Sequence, residues 1–254
     1  MTVHYVRTGA GPALFLLHAT LSSARHLRAL ATDLSRGHTV VAVDRRGSGG
    51  SAVEGPAEPI DVAVHVADVV DIARRERLSE LTVVGHSYGG CVALESAARQ
   101  PQLVKAVFAY EPPYALVAPP AVQAEMAEVG RRTLAARDHG GPSEAALTFM
   151  AGVSGPETVA ALSPAARDRV ARAGHGAVAD ATLAGMEPAG LKRIEGRVRV
   201  ATGSASRSFY VDIAEGLLEC IPGADHARLD GLDHMAPVLR PDAIAAAVVE
   251  WERS

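Results

Sequence analysis

Ser87 stands in a sequence context that makes a serine hydroxyl a nucleophile. Residues 81–90 read LTVVGHSYGG, so an apolar, strand-like run leads into GHSYG and then into a helical pattern. Glycines on both sides of a serine permit a turn too tight for larger residues, which pushes the hydroxyl out above a sheet. The helix that follows points its N-terminal amides at negative charge that develops over the serine. The pattern G-x-S-x-G in this context therefore predicts nucleophilic catalysis rather than simple helix capping.

Glu111 is a second residue of chemical interest, because it places a carboxylate at the tip of an apolar run. Residues 107–113 read VFAYEPP, so two prolines follow the glutamate directly. Proline disfavours the helical conformation for the residue before it. We therefore expect Pro112 to keep Glu111 out of a helix and to lead the backbone away from the sheet on a fixed path. A glutamate at a strand end is ordinarily solvated, so its role depends on the other site residues.

Four segments spread over nearly the whole chain carry a resemblance to a known superfamily. They read LFLLHATLSS, VAVDRRGSGGS, GHSYGG and GLDHMAPVLRP, in that order. Together they resemble the α/β-hydrolase superfamily, with the weakest likeness in the helical region before residue 190. The resemblance implies a general base after the last strand, and His234 of GLDHMAP holds that position. An imidazole there takes the proton of Ser87 and later returns it to the leaving group. His86 is expected to pack structurally and to point away from Ser87.

The acid of the implied triad is missing from its usual place. Many members of the superfamily carry it in a pattern like G-x-x-D after the strand that here reads VRVATG, but this chain has Ser206 at that position. Certain haloalkane dehalogenases and lactonases place the acid at the end of the strand that follows the nucleophile helix. Glu111 occupies that position here and is the predicted acid. The alternatives are Asp233, Asp230 and Asp212, of which Asp233 adjoins the base and should point away from it.

The loop after the first central strand is implied to supply one donor to an oxyanion hole. Relatives usually read His-Gly-x there, whereas this chain has Ala19 in place of glycine. Alanine disfavours positive φ, so the loop is expected to take a slightly different course. We predict that the amides of Thr20 and Tyr88 form the hole. Alternatively, Thr20 contributes its hydroxyl, or it caps a helix that begins near Ser22.

Two other patterns are weaker. Residues 47–52 spell G-x-G-x-x-A after a strand, as in a dinucleotide site, but Pro56 and Pro59 follow where a helix would have to open. The resemblance explains this segment as a structural turn held by Asp44 and Arg46. No metal-ligand spacing is recognisable, and the nearest approach, His226 with Asp230 and His234, includes the predicted base. No cofactor and no metal are therefore expected.

The order of apolar runs and helical patterns indicates an α/β fold with a mostly parallel central sheet flanked by helices. The predicted strands are Ala13–Leu17, Thr39–Val43, Leu81–Val84, Val104–Tyr110, Val198–Ala201 and a short one near Ala227–Leu229. The predicted helices of the core are Ser22–Arg36, Asp61–Arg77, Tyr88–Arg99, Phe209–Cys220 and Pro241–Trp251. Because no strand candidate occurs in residues 112–190, this region is predicted to be a helical cap inserted into a core of residues 1–111 and 191–254.

Composition narrows the class of protein. The chain has 254 residues, of which 48% are hydrophobic and 21% charged, and its formal net charge is −4. These values are typical of a soluble enzyme-sized domain, and the absence of a basic cluster argues against nucleic acid as a partner. No signal peptide and no apolar span of membrane length is recognisable. With only two cysteines, which suits a reducing compartment, we expect a cytoplasmic location and no membrane partner.

Taken together, the residues predict a cofactor-free serine hydrolase that cleaves an ester or lactone of a small hydrophobic substrate through an acyl-enzyme. The predicted pocket is lined by Ala19, Tyr114, Met126, Phe149, Met150, Met186 and Met235. A thioesterase, a carbon–carbon bond hydrolase and a perhydrolase-like enzyme are alternatives within the same fold. A ligand-binding protein without turnover is the alternative of a different class, which Ser206 and Ala19 keep open.

Overall fold

The computed structural model describes residues 3–51 and 55–254. Their centre is a seven-stranded sheet with the order β1-β3-β2-β4-β5-β6-β7. The strands are β1 (Tyr5–Thr8), β2 (Ala13–Leu17), β3 (Thr39–Val43), β4 (Leu81–His86), β5 (Val104–Tyr110), β6 (Arg197–Gly203) and β7 (Asp225–Leu229). All neighbouring strands run parallel except β1, which pairs antiparallel with β3 at one edge. The predicted fold class is confirmed.

Strand β1 is the element that the sequence pattern did not indicate. Its residues, YVRT, are half-buried or exposed, whereas every residue of β2 and β3 is buried. An edge strand has one neighbour and faces solvent, so it does not need the continuous apolar run that marks a strand covered on both faces.

Helices cover both faces of the sheet. They are α1 (Arg28–Leu34), α2 (Val62–Glu76), α3 (Tyr88–Arg99), α4 (Pro120–Ser154), α5 (Pro156–Ala160), α6 (Pro164–Ala171), α7 (Gly174–Ala179), α8 (Phe209–Cys220), α9 (Ala236–Leu239) and α10 (Pro241–Arg253). The predicted bounds of α3 and α8 are confirmed, and α2 differs from its prediction only by its caps, Asp61 and Arg77. Helix α1 begins six residues later than predicted, after a series of turns.

Residues 112–190, all of them described, contain helices and turns but no strand. Helix α4 is kinked at Gly141, which has φ 76° and ψ −175° and is followed by Pro142. Glycine tolerates this backbone, and proline removes a helical amide at the same point, so the two arms of α4 diverge there. The division into a core and a cap with the boundaries given above stays a prediction.

Two apolar clusters sandwich the sheet. One packs α2, α3 and α8 against side chains such as Phe15 and Val107, and the other packs α1 and α10, including Trp251, against Leu16 and Phe108. Strand side chains alternate between the two clusters, so the parallel strands have to be apolar on both faces. Among the described residues, no helix combines the length and the apolar character that crossing a membrane requires.

Candidate active site

Ser87 lies in a sharp turn between β4 and α3. Its backbone has φ 53° and ψ −125°, a conformation that residues with a side chain rarely adopt. The flanking glycines are required sterically: a Cβ on Gly85 would lie 2.3 Å from the carbonyl oxygen of Gly89, and one on Gly89 would lie 2.4 Å from that of Leu17. The pattern G-x-S-x-G thus forms the tight strand–turn–helix connection that the sequence predicted.

Glu111 lies at the tip of β5 and is fully buried. Its Oε1 accepts a hydrogen bond from the amide of Gly203 at 2.8 Å, and its Oε2 lies 2.7 Å from Nδ1 of His234. A carboxylate can only accept, so we assign the proton of the imidazole to Nδ1, which leaves the lone pair on Nε2. The structure brings the glutamate and the histidine together across 123 residues of sequence.

The backbone of Glu111 lies outside the right-handed helical region, as expected from Pro112. It has φ 48°, in the left-handed region. The amide of Glu111 donates to the carbonyl oxygen of Ala201 at 2.9 Å, and the side chain is fixed at both oxygens. Together these bonds hold a conformation that costs on the order of 1–3 kcal/mol when unsupported. Neighbouring strands therefore decide the path of the chain here, and the proline only excludes a helix.

Buried side chains from β4 and β5 hold the loop that carries His234. Tyr110 donates its hydroxyl to the carbonyl oxygen of Asp233 at 2.7 Å, and Nε2 of His86 donates to that of His234 at 2.8 Å. Burial lowers the pKa of His86 well below its usual range, and the nearby His234 lowers it further. A neutral His86 that is bonded to backbone fits the structural role predicted for it.

A tyrosine covers one face of the predicted base. The ring of Tyr210 is stacked on the imidazole of His234, with centroids 4.9 Å apart and planes 8° from parallel. Its hydroxyl lies 3.5 Å from Nε2. The side chain of His234 remains 32% exposed, and the residue lines the cavity described below.

The alternative acids do not contact the imidazole. Asp233 accepts from the amide of Met235 at 2.9 Å, and Asp230 accepts from the hydroxyl of Ser204 at 3.0 Å. Asp212 lies in the first turn of α8. Among the described residues, Glu111 is the carboxylate that hydrogen-bonds to His234. Ser206 is partly buried, and its hydroxyl has no hydrogen-bond partner among them.

A buried carboxylate links the loop after β2 to the residue that directly follows α7, Asp180. The hydroxyl of Thr20 donates to Oδ2 of Asp180 at 2.8 Å, and Asp180 also forms two hydrogen bonds with the guanidinium of Arg45. Burial opposes the charge on Arg45, but Asp180 outweighs it, so the pKa of Arg45 lies above its ordinary value. Because the hydroxyl proton of Thr20 is committed to Asp180, the amide is the donor left for an oxyanion.

Two features of this loop bear on the roles predicted for Ala19 and Thr20. The left-handed backbone falls on Leu21, with φ 60°, so Ala19 needs no positive φ. Thr20 does not cap α1, because that helix begins only at Arg28. Tyr88 is the first residue of α3, where an amide has no acceptor within the helix, and it is available for the second contact.

The segment after β3 forms a turn, as the resemblance implied. Asp44 accepts hydrogen bonds from the amides of Ala24 at 2.7 Å and Gly50 at 2.8 Å, and Arg46 is paired with Asp68 at 2.6 Å. The amide of Gly47 donates to the carbonyl oxygen of Ser51 at 2.9 Å, which closes the turn. Ala52, the last residue of the dinucleotide-like pattern, lies outside the described residues.

Ser87 and His234 open into one cavity of about 940 Å³, which Thr20 and Tyr88 also line. The predicted lining residues that contact it are Ala19, Met126, Phe149, Met150 and Met235. Two pocket predictions are wrong, because Tyr114 and Met186 do not line the cavity and pack in the core instead. The hydroxyl of Tyr114 donates to the buried Glu95 at 2.5 Å, which explains a tyrosine in the interior.

Asp180 and Arg45 are the site residues that sequence reasoning missed. Asp180 follows GAVA in a stretch without clear periodicity, and Arg45 lies between Asp44 and Arg46 in a turn motif whose predicted role is structural. Neither has a local signal, since their partnership spans 135 residues.

Comparisons with known proteins agree with this architecture. A family model described as the alpha/beta hydrolase family matches residues 14–247. Among solved structures, an alpha/beta hydrolase from Sphaerobacter thermophilus is 27% identical, with a TM-score of 0.76 over 98% of this chain and 95% of that one. An esterase from Rhodococcus sp. has the same fold at 22% identity, with a TM-score of 0.75 over 100% and 99% of the two chains.

Similarity by sequence alone is more limited. An epoxide hydrolase from Caballeronia sordidicola is 28% identical over 136 residues, which are 52% of this chain and 40% of that protein. The chain matches three epoxide hydrolases, and each match spans only 20% to 40% of the length of that relative.

Proposed function

This chain belongs to the alpha/beta hydrolase family, and on that premise we propose that it is a serine hydrolase that cleaves a carboxylic ester or lactone of a hydrophobic substrate. One observation carries the proposal: His234 is oriented by the buried Glu111, and it opens into the same cavity as Ser87, whose turn is strained. A nucleophile, a base and an acid that orients the base are the parts that acyl transfer to a serine requires.

The proposed first step uses the lone pair on Nε2 of His234. The imidazole takes the proton of Ser87 while the serine oxygen attacks the carbonyl carbon, and the imidazolium is stabilised by Glu111 through Nδ1. The carbonyl oxygen becomes an oxyanion that the amides of Thr20 and Tyr88 contact. Preorganised donors of this kind contribute about 10²- to 10³-fold each to the rate.

Completion of the cycle needs only water. The protonated His234 gives its proton to the leaving alcohol, and the acyl group stays on Ser87 as an ester. Water, deprotonated by the same imidazole, then attacks this ester and releases the acid. In a lactone the leaving alcohol is part of the same molecule, so ring opening follows the same steps.

The serine weighs against the activity named for the epoxide hydrolase relatives. Attack of a serine oxygen on an epoxide carbon would form an ether between Ser87 and the substrate. Water does not cleave an ether under these conditions, whereas it cleaves the ester that forms from a carbonyl substrate. The nucleophile therefore supports acyl chemistry.

The test combines active-site labelling with turnover. The wild-type protein should be labelled by a fluorophosphonate and should hydrolyse γ-lactones or 4-nitrophenyl esters, the latter with a burst of 4-nitrophenol, and Ser87→Ala should abolish both labelling and hydrolysis. Acyl thioesters, a vinylogous diketone and peroxide-dependent bromination are assayed in parallel, because a preference of at least 100-fold for one of them would replace the ester assignment. A wild-type protein that is neither labelled nor active would favour a ligand-binding role and would refute the proposal.

A further inference from the structure

The two arms of α4 form much of the cavity wall. Met126, Ala127 and Leu134 line it from the first arm, and Phe149, Met150 and Val153 line it from the second. Within each arm the lining residues recur at spacings of about one helical turn, so one face of each arm is turned to the cavity. An apolar helix face that borders open space instead of core is ready to receive an apolar ligand.

The charged groups at this cavity are either buried in a pair or exposed to solvent. Asp180 and Arg45 are 1% and 2% exposed at their side chains and bind each other. Arg131 pairs at 2.6 Å with Glu128, and both side chains are largely exposed. Among the lining residues that the structure describes, none is therefore an unpaired, buried cation that would compensate a carboxylate or phosphate on the ligand.

From these two observations we propose that the natural substrate is uncharged and carries a bulky apolar group that lies beneath α4. This inference rests on the proposed function and names its substrate class. An unpaired charge placed among apolar side chains loses its hydration without compensation, so a charged substrate is excluded energetically. Methionine side chains adapt to many shapes. Because Met126, Met150 and Met235 line the site, we expect it to discriminate between charged and uncharged substrates more strictly than between uncharged substrates of different shape.

A series of three esters tests the proposal: 4-nitrophenyl acetate, 4-nitrophenyl decanoate and the mono-4-nitrophenyl ester of decanedioic acid. We expect kcat/KM to be at least 10-fold higher for the decanoate than for the acetate, and at least 100-fold lower for the ester with the distal carboxylate than for the decanoate. Equal rates for the two ten-carbon esters, or a preference for acetate, would overturn the proposal.

Two variants of α4 provide a matched pair. Ala127 lines the cavity, whereas Ala121 is exposed on another face of the same helix. Ala127→Phe should reduce the ratio of decanoate to acetate kcat/KM at least 10-fold by filling the space, and Ala121→Phe should keep the wild-type ratio. Identical ratios in both variants would show that the chain does not lie under α4.

A binding measurement separates this proposal from the proposed function. The Ser87→Ala variant should bind the uncharged fluorescent probe N-phenyl-1-naphthylamine, and the decanoate ester should displace it at least 10-fold better than its carboxylate counterpart. That preference would stand even if the wild-type protein hydrolysed no ester. Equal displacement by both compounds would refute the substrate class whatever the catalytic result.

Tyr210 supports a second, independent inference. It combines a parallel stack on His234 with a hydroxyl 3.5 Å from Nε2, and it lines the cavity. Burial raises the pKa of this hydroxyl well above its usual range, and the charge of Glu111 raises it further, so it stays neutral. The other titratable groups that face the imidazole are Glu111 and His86.

We infer that Tyr210 is a positioning residue for His234. Its ring covers one face of the imidazole and fixes the plane of that ring. The stack therefore keeps Nε2 directed at the proton that it has to accept, provided that the proposed hydrolase reaction takes place.

The test compares Tyr210→Phe, which keeps the stack, with Tyr210→Leu, which removes it. Tyr210→Phe should keep kcat and KM within about twofold of the wild type, because the stacked ring stays in place. Tyr210→Leu should lower kcat about 10- to 100-fold with little change in KM, and its melting temperature separates this loss from unfolding. An active wild-type enzyme with an unchanged kcat in a folded Tyr210→Leu, or an equal loss of kcat in both variants, would overturn the inference.

Discussion

Asp180 and Arg45 form a nearly solvent-free ion pair that joins the helical segment before β6 to the loop after β3. The same network reaches the predicted oxyanion loop, because Nε of Arg45 donates to the carbonyl oxygen of His18 at 3.0 Å and the hydroxyl of Thr20 donates to Asp180. The position of the amide of Thr20 thus depends on a carboxylate that lies 160 residues away in the sequence.

Replacement of one partner should be costly. Asp180→Asn leaves the charge of Arg45 buried without compensation, so the free energy of unfolding should fall by about 3–5 kcal/mol. The exposed Asp138, which is paired with Arg137, provides the control, and Asp138→Asn should change stability by less than about 0.5 kcal/mol. Urea unfolding measures both. The double variant Arg45→Met/Asp180→Leu should recover most of the loss, and a single variant as stable as the wild type would contradict this account.

Glu111 and Ser206 should differ sharply in their effect on turnover. Glu111→Gln keeps an acceptor for the amide of Gly203 but removes the charge that stabilises the imidazolium, so kcat should fall about 10²- to 10⁴-fold. Ser206→Ala should change kcat less than twofold, because the hydroxyl has no partner in the described part of the chain. Steady-state kinetics at pH 8 measure kcat of both variants, and their melting temperatures show whether they are folded. A fully active glutamine variant would remove Glu111 from the mechanism.

Buried histidines should make the protein sensitive to acid. Burial lowers the pKa of His65 to about 4 and those of His18 and His86 well below the usual range. Above pH 6.5 neither the folded nor the unfolded state binds these protons, and below it only the unfolded state does. The free energy of unfolding should therefore fall as the pH is lowered from about 6.5, by up to about 1.4 kcal/mol per pH unit for each histidine.

The contribution of His65 ends near pH 4, where the folded state also binds its proton. Urea unfolding at pH 7.5, 6.5 and 5.5 measures the slope. His65→Leu should reduce the slope below pH 6.5, and replacement of the exposed His139 by glutamine should not. A slope that is independent of His65 would show that this side chain is protonated in the folded protein.

The strained turn at Ser87 should impose a measurable cost on stability. Ser87→Gly tolerates φ 53°, whereas Ser87→Ala keeps the Cβ and with it the strain. Relief of strain of about 1–3 kcal/mol exceeds the entropic cost of glycine, so the glycine variant should be about 1 kcal/mol more stable than the alanine variant. Both should be inactive. Equal stability of the two in urea would mean that the turn is not strained.

Local pattern was sufficient for much of the fold. The apolar runs that became β2 to β6 were readable because each of these strands had to be apolar on both faces. Helical spacing was sufficient to place α2, α3 and α8. The sequence pattern did not reveal β1, because an edge strand has a neighbouring strand on one side only and does not have to be apolar on both faces. Helix α1 was placed too early, since the polar turns before Arg28 satisfy helical spacing without forming a helix.

The sequence alone determined the parts of the site that depend on local geometry. The glycines around Ser87 indicate a tight turn. Glu111 at the end of β5 is a candidate acid because Ser206 occupies the usual position of the acid, after β6. Tertiary structure decided what depends on long-range contacts. It placed Glu111 in a left-handed backbone, paired Asp180 with Arg45, stacked Tyr210 on His234 and moved Tyr114 and Met186 from the predicted pocket into the core. The reason is physical, because burial and ion pairing depend on which distant segments come together, and no short stretch of sequence specifies that.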